Sequence, residues 1–229
     1  EEGLKMHHVG DGSNFISRSG NEYLDIFPVW DWQKIPGTTI VQKPVHPHWK
    51  KIAKKGLTGF VGGVSNGKYG AVAMDFKSAH DPLSARKAWF FFDDEYVCLG
   101  TGITSSADHP VLTTINQCLL KGDVIVKAKK EVARVEKGVH SMEDVSWILH
   151  DGVGYVVNER EKIFISNTTA TGNWRDINHH VSPPGEVASR DVFSLWYDHG
   201  VKPSNKSYEY IVVPDAESSS LDRYLRQSP

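Results

Sequence analysis

The sequence has little of several features that would assign a protein to a class at once. No apolar run reaches the roughly 18 residues of a membrane-spanning helix, and helical periodicity is nearly absent. The formal net charge is only -2, so the composition gives no electrostatic argument for nucleic acid as a partner. We therefore expect no membrane span, no nucleic-acid partner and few or no helices.

Cysteine is also scarce, with only Cys98 and Cys118 in 229 residues. Neither belongs to a Cys-x-x-Cys motif. We interpret them as two buried free thiols. A disulfide between them would require adjacent strands and a suitable Cβ spacing, which the sequence does not reveal, so whether they pair stays open at this point.

Motifs of metal and cofactor sites are missing as well. There is no glycine-rich phosphate loop and no Gly-x-Ser-x-Gly nucleophile motif. His46-Pro47-His48 and His179-His180 lack a third ligand at the spacing of known metal motifs, so we interpret them as loop histidines. No cofactor and no metal ligand is predicted.

What the sequence does contain is a series of short strand-like runs separated by turn residues. Phe15–Arg18 and Tyr23–Val29 flank a predicted turn at Ser19-Gly20. Asn66-Gly67 is a strong hairpin signal because both residues tolerate positive φ, and Asp93-Asp94-Glu95 predicts another turn. The remaining predicted strands are Leu57–Ser65, Lys68–Phe76, Ala88–Phe92, Tyr96–Ile103, Leu112–Leu119, Val124–Ala128, Val145–His150, Gly154–Val157, Lys162–Asn167, Asp191–His199 and Tyr208–Val213.

Many short strands of this kind predict an all-β fold built as a large antiparallel sandwich. The one plausible helix is short, with Ser219 or Ser220 as a cap for Leu221–Leu225. Pro183-Pro184-Gly185 is interpreted as a loop. Because neither a clear linker nor a fixed-period repeat interrupts the series, we place residues 1–229 in a single domain.

The most informative aromatic residues lie between Gly20 and Thr39. Trp30 and Trp32 flank Asp31, which is costly to order unless the rings are buried and the acid is held by hydrogen bonds. The seven tryptophans of the chain suit both a sandwich core and sugar stacking. The core is the favoured interpretation, since buried aromatic residues are the rule in sheets.

Together with Lys87–Glu95, the Gly20–Thr39 block resembles the central β-domain of the family 8 polysaccharide lyases, the bacterial chondroitin, hyaluronan and xanthan lyases. The likeness is greatest to chondroitin AC lyases. It rests on the shared order of several blocks rather than on any single one. The matching blocks are Gly10–Gly12, Gly20–Thr39, Gly62–Gly67, Lys87–Gly102, Thr113–Gln117, Leu149–Tyr155 and Gly172–Trp174.

The resemblance implies a galactose-mutarotase-like β super-sandwich that is part of a larger enzyme. In such an enzyme an N-terminal helical toroid precedes this domain and a C-terminal β-domain follows it. The chain begins without Met and ends in a polar tail, which we interpret as the limits of an excised piece. The family likeness, rather than a signal peptide in the chain, implies a secreted or periplasmic protein.

The resemblance also implies a reaction, the cleavage of an acidic polysaccharide that contains uronic acid by β-elimination. Chondroitin is the expected substrate and hyaluronan the next. The uronate must be neutralised, a base must take the C5 proton, and an acid must protonate the leaving oxygen. In the family these tasks fall mainly to the helical domain of the same polypeptide, the expected partner, so the isolated chain is expected to be inactive.

Within this chain the resemblance assigns a supporting catalytic role to Glu22, whose Gly-x-Glu-Tyr setting matches the family's glutamate. Its expected task is to accept hydrogen bonds from the His or Arg of the helical domain. Asn21 and Asp25 are the candidate substrate-binding residues, although a fixed negative charge at Asp25 repels a polyanion. Without the resemblance, Glu22 would be interpreted as an acid that bridges strands at a hairpin.

Some chondroitin AC lyases hold calcium through several carboxylates just before the segment that matches Gly62–Ser65. Here residues 48–57 contain four lysines and no acid. Hard cations require negatively charged oxygen ligands, so we expect the calcium site to be missing.

Other functions stay open. The chain could be a non-catalytic β-sandwich that binds carbohydrate or holds domains together, although Glu22 in its aromatic block favours the lyase. A mutarotase-like epimerase would need a catalytic His and an acid within this domain, and the sequence assigns no such pair. Asp93-Asp94-Glu95 could form a paired-carboxylate hydrolase site, but a solvated turn is the favoured interpretation.

Overall fold

The computed structural model describes residues 3–46, 55–158, 160–180 and 186–225. Most of the regular structure in these residues is β-strand. The strands are β1 Thr39–Val41, β2 Val61–Ser65, β3 Gly70–Lys77, β4 Leu83–Phe91, β5 Tyr96–Ser105, β6 Pro110–Leu119, β7 Val124–Ala128, β8 Glu131–Arg134, β9 Val139–Met142, β10 Val145–His150, β11 Val153–Val157, β12 Ile163–Gly172, β13 Ala188–Val201 and β14 Lys206–Val213. The helix α1 spans Ser218–Leu225, and 3-10 turns occur at Met6–His8, Phe27–Val29 and Trp174–Asp176.

The strands form two sheets. One has five strands in the order β1-β6-β13-β12-β9, and the other has nine in the order β2-β3-β4-β5-β14-β11-β10-β7-β8. Neighbouring strands pair antiparallel throughout both sheets. The all-β antiparallel fold expected from the sequence is confirmed.

The main core lies between the two sheets. Strand β4 alternates buried residues with more exposed ones, as a strand with one covered face does. The largest hydrophobic cluster joins residues of the nine-stranded sheet, such as Trp89 and Tyr155, to residues of the five-stranded sheet, such as Ile115 and Phe193. Five tryptophans are buried, which agrees with the interpretation as core residues: Trp30, Trp32, Trp89, Trp147 and Trp196.

The two cysteines lie on different sheets. Cys98 belongs to β5 of the nine-stranded sheet and Cys118 to β6 of the five-stranded sheet. Both are buried and unpaired, so the prediction of two free thiols is confirmed. Burial raises the pKa of the Cys98 thiol to about 12 and also raises the pKa of Cys118.

The N-terminal segment covers the side of the five-stranded sheet that faces away from the main core. The Gln117 side chain of β6 donates to the carbonyl oxygens of Asp31 (3.0 Å) and Lys34 (2.7 Å) and accepts the Asp31 N–H (2.8 Å). A second hydrophobic cluster forms there from Ile26, Val29, Trp30, Trp32, Ile35, Ile177 and Val192. This cover explains why β6 is buried on both faces.

The strands predicted at Phe15–Arg18 and Tyr23–Val29 are wrong. Residues 15–17 have no regular secondary structure, Arg18 lies in a bend, residues 23–25 form a turn, and Phe27–Val29 is a 3-10 turn with Pro28 near its start. The Ile16 N–H donates to the Tyr23 hydroxyl at 3.0 Å, and the Arg18 N–H donates to the Glu22 carboxylate at 2.9 Å. Because side chains take up these backbone donors and Pro28 has none, no strand ladder forms.

The two predicted hairpin turns are confirmed. Residues 66–69 connect β2 to β3. Gly67 has φ +88°, and Asn66 does not adopt positive φ; its side-chain oxygen instead accepts the N–H of Lys68 and of Tyr69. Residues 93–95 connect β4 to β5 and are mostly exposed. The predicted loop at Pro183-Pro184-Gly185 lies outside the described residues.

The sequence did not predict β1, β8 and β9, which have three or four residues each. Strand β8 is exposed along its whole length, so it has no alternation of apolar and polar residues to detect. The C-terminal helix is confirmed but begins at Ser218, and its Leu221 is buried against the nine-stranded sheet. No helix in the described part of the chain has the length and apolar character that crossing a membrane would require.

Candidate functional site

The candidate site is a loop at Ser17–Glu22, here called the Glu22 loop. The Glu22 side chain turns back into this loop, so the residue is only 6% exposed. Its carboxylate accepts the N–H groups of Arg18 (2.9 Å), Ser19 (2.7 Å) and Gly20 (3.0 Å), and the Ser19 hydroxyl at 3.0 Å. Successive backbone donors directed at one anion form a nest, and Glu22 thereby organises the chain that precedes it.

The nest sets the charge of Glu22. Burial by itself raises the pKa of this carboxyl, but the hydrogen bonds from the loop outweigh burial and lower the pKa to about 2. Glu22 is therefore an ionised, positioned carboxylate at neutral pH. Such a group can orient or stabilise a cation brought against the loop, and it is a poor proton donor.

Arg18 connects the Glu22 loop to the nine-stranded sheet. Its guanidinium lies 2.6 Å from the Asp215 carboxylate and donates to the backbone carbonyl of Asp151. Asp151 belongs to the turn between β10 and β11, and Asp215 follows β14. At Gly152 a Cβ would lie 2.6 Å from the Arg18 guanidinium, which ends a flexible side chain, so the φ of +69° is the reason that this turn favours glycine.

Lys121 is a second basic residue beside the loop. Its ammonium lies 3.4 Å from the Ser19 hydroxyl and 3.6 Å from the Asp151 carboxylate. Its backbone N–H donates to the ring of the buried His150 at 3.1 Å. Sequence reasoning identified neither Arg18 nor Lys121. Arg18 lies four residues before Glu22 and could have been noticed, but the contact of Lys121 with Ser19 spans 102 residues.

The structure brings the three predicted site residues together in one turn. Asn21 and Asp25 are exposed, whereas Glu22 between them is buried. Asp25 has φ +54°, a left-handed conformation that Asp adopts more readily than most residues. Asn21 and Asp25 are therefore accessible to a ligand.

A chain of hydrogen bonds to buried residues supports this turn. The Tyr23 hydroxyl donates to the Asn116 side chain at 3.1 Å, and Asn116 donates to the hydroxyl of the buried Tyr155 at 2.7 Å. In the same segment three apolar side chains are exposed, those of Phe15, Leu24 and Phe27. The segment around Glu22 thus exposes both polar and apolar side chains.

Asp31 has a structural environment. One carboxylate oxygen accepts the Gln33 N–H at 3.0 Å and the other pairs with Lys34, while Trp30 and Trp32 are buried. The expectation of buried rings around a hydrogen-bonded acid is confirmed.

The remaining candidate residues form no comparable site. Asp93 is exposed and pairs with Lys68 at 3.1 Å, as expected of a solvated turn. His179 and His180 are exposed. His46 lies in a loop as predicted, but it is partly buried and its ring stacks on that of His7. His48 and most of the lysine-rich segment 48–57, where a calcium site was expected to be missing, lie outside the described residues.

Comparison with known proteins gives a consistent result. The family model described as polysaccharide lyase family 8, super-sandwich domain, matches residues 1–225. A chondroitinase-AC of Pedobacter heparinus is 41% identical over 218 residues, which cover 93% of this chain and 30% of the relative. A hyaluronate lyase of Thermasporomyces composti is 32% identical over 225 residues, which cover 94% of this chain and 28% of the relative.

A solved structure of a chondroitinase AC lyase with bound oligosaccharide superposes with a TM-score of 0.90 at 38% identity. The match covers 99% of this chain and 33% of the solved one. The chain therefore spans about a third or less of the length of each of these relatives.

Proposed function

Because the chain belongs to polysaccharide lyase family 8, whose super-sandwich domain it forms, we propose that it is one wall of the substrate cleft in a larger lyase. The enzyme would cleave a uronic-acid-containing polysaccharide by β-elimination. The role proposed for this chain rests on one observation, the ionised Glu22 carboxylate, which its loop holds in a segment with exposed polar and apolar residues.

In this proposal Glu22 acts on groups that the rest of the enzyme supplies. β-Elimination needs a neutralised uronate, a base for the C5 proton and an acid for the leaving oxygen. A carboxylate with a pKa near 2 serves none of these tasks directly. Its negative charge can fix the orientation and protonation of a His or Arg that approaches the loop. Both carboxylate oxygens of Glu22 already accept hydrogen bonds from the loop, so a hydrogen bond from that His or Arg would be an additional one.

The exposed residues around Glu22 suit two partners. Phe15, Leu24 and Phe27 provide apolar area for the helical domain of the same polypeptide, and Asn21 and Asp25 are placed to contact sugar. Arg18 and Lys121 lie beside acids, so little unpaired positive charge is left near Glu22. We therefore assign neutralisation of the uronate to the helical domain.

The proposed substrate is chondroitin, with hyaluronan as the second choice. Support for chondroitin comes from the relative at 41% identity, which is a chondroitinase-AC. The family includes other substrates, since a xanthan lyase is 34% identical and a hyaluronate lyase 32% identical. An enzyme for such polymers would work outside the cytoplasm, and we propose a secreted or periplasmic location.

The test uses Glu22→Gln in the parent enzyme, assayed by the ultraviolet absorbance of the unsaturated product on chondroitin and hyaluronan. We expect kcat to fall on the order of 10²-fold or more, because the variant keeps the shape but lacks the charge. Glu131→Gln, the same change on the exposed strand β8, is the matched control and should keep wild-type turnover.

A second variant separates a catalytic contribution from loop formation. Ser19→Ala removes one hydrogen-bond donor to Glu22 and leaves the charge in place. If Glu22 acts through its charge, Ser19→Ala should retain most of the turnover even if it loses about as much stability as Glu22→Gln does. Wild-type turnover in Glu22→Gln would leave the domain as a non-catalytic sandwich that binds carbohydrate or supports its neighbours.

The structure does not favour a mutarotase-like epimerase. A His and an acid do meet within this domain, where the His8 ring lies 2.8 Å from the Asp11 carboxylate. However, His8 is only 1% exposed, so a sugar cannot reach this pair.

A further inference from the structure

His150 is a buried histidine at the end of β10, immediately before the turn that Arg18 contacts. Its side chain is 2% exposed and stacks on the Phe193 ring of β13, with 4.3 Å between the centroids and 24° between the planes. The Nδ1 atom lies 3.8 Å from the Cys118 sulfur, and the Nε2 atom lies 3.1 Å from the backbone nitrogen of Lys121. The ring therefore contacts both ends of residues 118–121, where β6 ends.

The contact with Lys121 determines which ring nitrogen of His150 carries the proton. A backbone N–H can only donate, so Nε2 accepts and the proton of the neutral ring is on Nδ1. Burial lowers the pKa of His150 to about 4, which leaves the ring neutral at pH 7. A cysteine beside a histidine can be a nucleophile beside its base. Here Nδ1 has no lone pair to offer the Cys118 thiol, so the pair is not of that kind.

The residues that His150 holds also hold the Glu22 loop. Between the two contacts of the ring, the Leu119 N–H donates to the Glu22 carbonyl oxygen at 2.8 Å. The Lys121 ammonium lies 3.4 Å from the Ser19 hydroxyl, and Ser19 donates to the Glu22 carboxylate through both its N–H and its hydroxyl. Two short paths thus join His150 to Glu22, one to its backbone and one to its carboxylate.

We propose that His150 is a positioning residue for Glu22 in the lyase. This inference rests on the proposed function, in which the Glu22 carboxylate orients a His or Arg of the helical domain. That contact depends on where the carboxylate lies, and a displacement of about 1 Å can cost on the order of 10²-fold in rate. Because the His150 ring cannot turn without losing its stack on Phe193, it keeps residues 118–121 in one place, and with them Glu22.

The first test compares two replacements of His150 in the parent enzyme. His150→Gln keeps a hydrogen-bond acceptor, since the amide oxygen is as many bonds from the backbone as Nε2 is. His150→Leu has a similar volume and no polar atom, so the Lys121 N–H loses its partner. We expect kcat to fall roughly tenfold or more in His150→Leu and to stay within about threefold of the wild type in His150→Gln. Wild-type kcat in His150→Leu, or an equal loss in both variants, would overturn the proposal.

The second test does not depend on turnover. The backbone N–H groups of residues 18–20 donate to the Glu22 carboxylate, so their NMR resonances in the purified 229-residue chain report where that carboxylate lies. His150→Leu should shift these resonances, and His150→Gln should leave them near their wild-type positions. A purely structural role of His150 elsewhere in the core would lower stability in both variants without this difference.

His199→Leu is the matched control. His199 is another largely buried ring, and its Nε2 atom lies 2.8 Å from the Thr113 hydroxyl, so its loss should leave the resonances of residues 18–20 unchanged. The two tests also separate this inference from the proposed function. Wild-type turnover in Glu22→Gln would overturn the proposed function, whereas unchanged resonances in His150→Leu would overturn the positioning role whatever the turnover of Glu22→Gln.

Discussion

Glu22 shows how one side chain can determine a backbone conformation. The segment around it has the residue types of a strand and turn, but its N–H groups converge on one carboxylate instead of a neighbouring strand. Unpaired buried charge is costly and a hydrogen-bonded carboxylate is not. The stability of the loop therefore depends on the ionisation of Glu22.

We predict a specific pH dependence for this residue. The folded pKa of Glu22, about 2, lies below its ordinary value of 4.5. Its stabilising contribution is thus complete above about pH 5 and is lost as the pH falls towards 2. Urea unfolding of the wild type and Glu22→Gln should show a stability gap on the order of 1–3 kcal/mol near pH 7 that closes at low pH. A gap that is constant from pH 7 to pH 2.5 would contradict the nest.

At the scale of elements, the strand β12 ends where the N-terminal cover begins. Its last residue, Gly172, faces the 3-10 turn Phe27–Val29, and a Cβ there would overlap the Pro28 carbonyl group. The absence of a side chain at Gly172 lets the cover lie directly on the five-stranded sheet.

Gly172→Ala should therefore destabilise the chain by about 3 kcal/mol, because backbone must move to admit the methyl group. Gly62→Ala makes the same change on the exposed strand β2, where the added Cβ meets nothing within 4 Å, and its effect should stay within about 0.5 kcal/mol. Denaturant midpoints measure both. Similar midpoints for the two variants would show that the N-terminal cover is not packed as described.

The elements that the sequence predicted well are short apolar strands bounded by clear turn residues. Strands β7 and β10 have the predicted bounds, since both combine β-branched residues with clear turn signals. The irregular structure of residues 15–29 was missed because long-range contacts decide it, such as that of Tyr23 with Asn116. The Glu22 block could be found from sequence because its residues are contiguous. Lys121 could not, because its contact with Ser19 spans 102 residues.

At the scale of the whole molecule, the proposed function makes this chain a folded unit that depends on reactive groups supplied by the rest of a larger enzyme. It spans about a third or less of the relatives it matches. The Glu22 carboxylate, with its pKa near 2, neither moves a proton at neutral pH nor neutralises a uronate.

The purified chain should accordingly release no unsaturated product from chondroitin or hyaluronan, because positioning without an acid and a base does not produce elimination. The parent enzyme assayed at equal molar concentration is the positive control. Sustained product formation by residues 1–229 alone would show that the proton-transferring groups lie in this domain.

Each sheet contains one buried thiol, so the reactivity of Cys98 and Cys118 can be used to measure how the two sheets open. Cys98 and Cys118 are shielded from reagents as long as the sheets stay together, and a protonated thiol reacts poorly. The rate at which a thiol reagent modifies each cysteine then measures how often its sheet is uncovered. Equal rates would indicate that the two halves of the sandwich come apart in one event, whereas unequal rates would identify the sheet that loosens first.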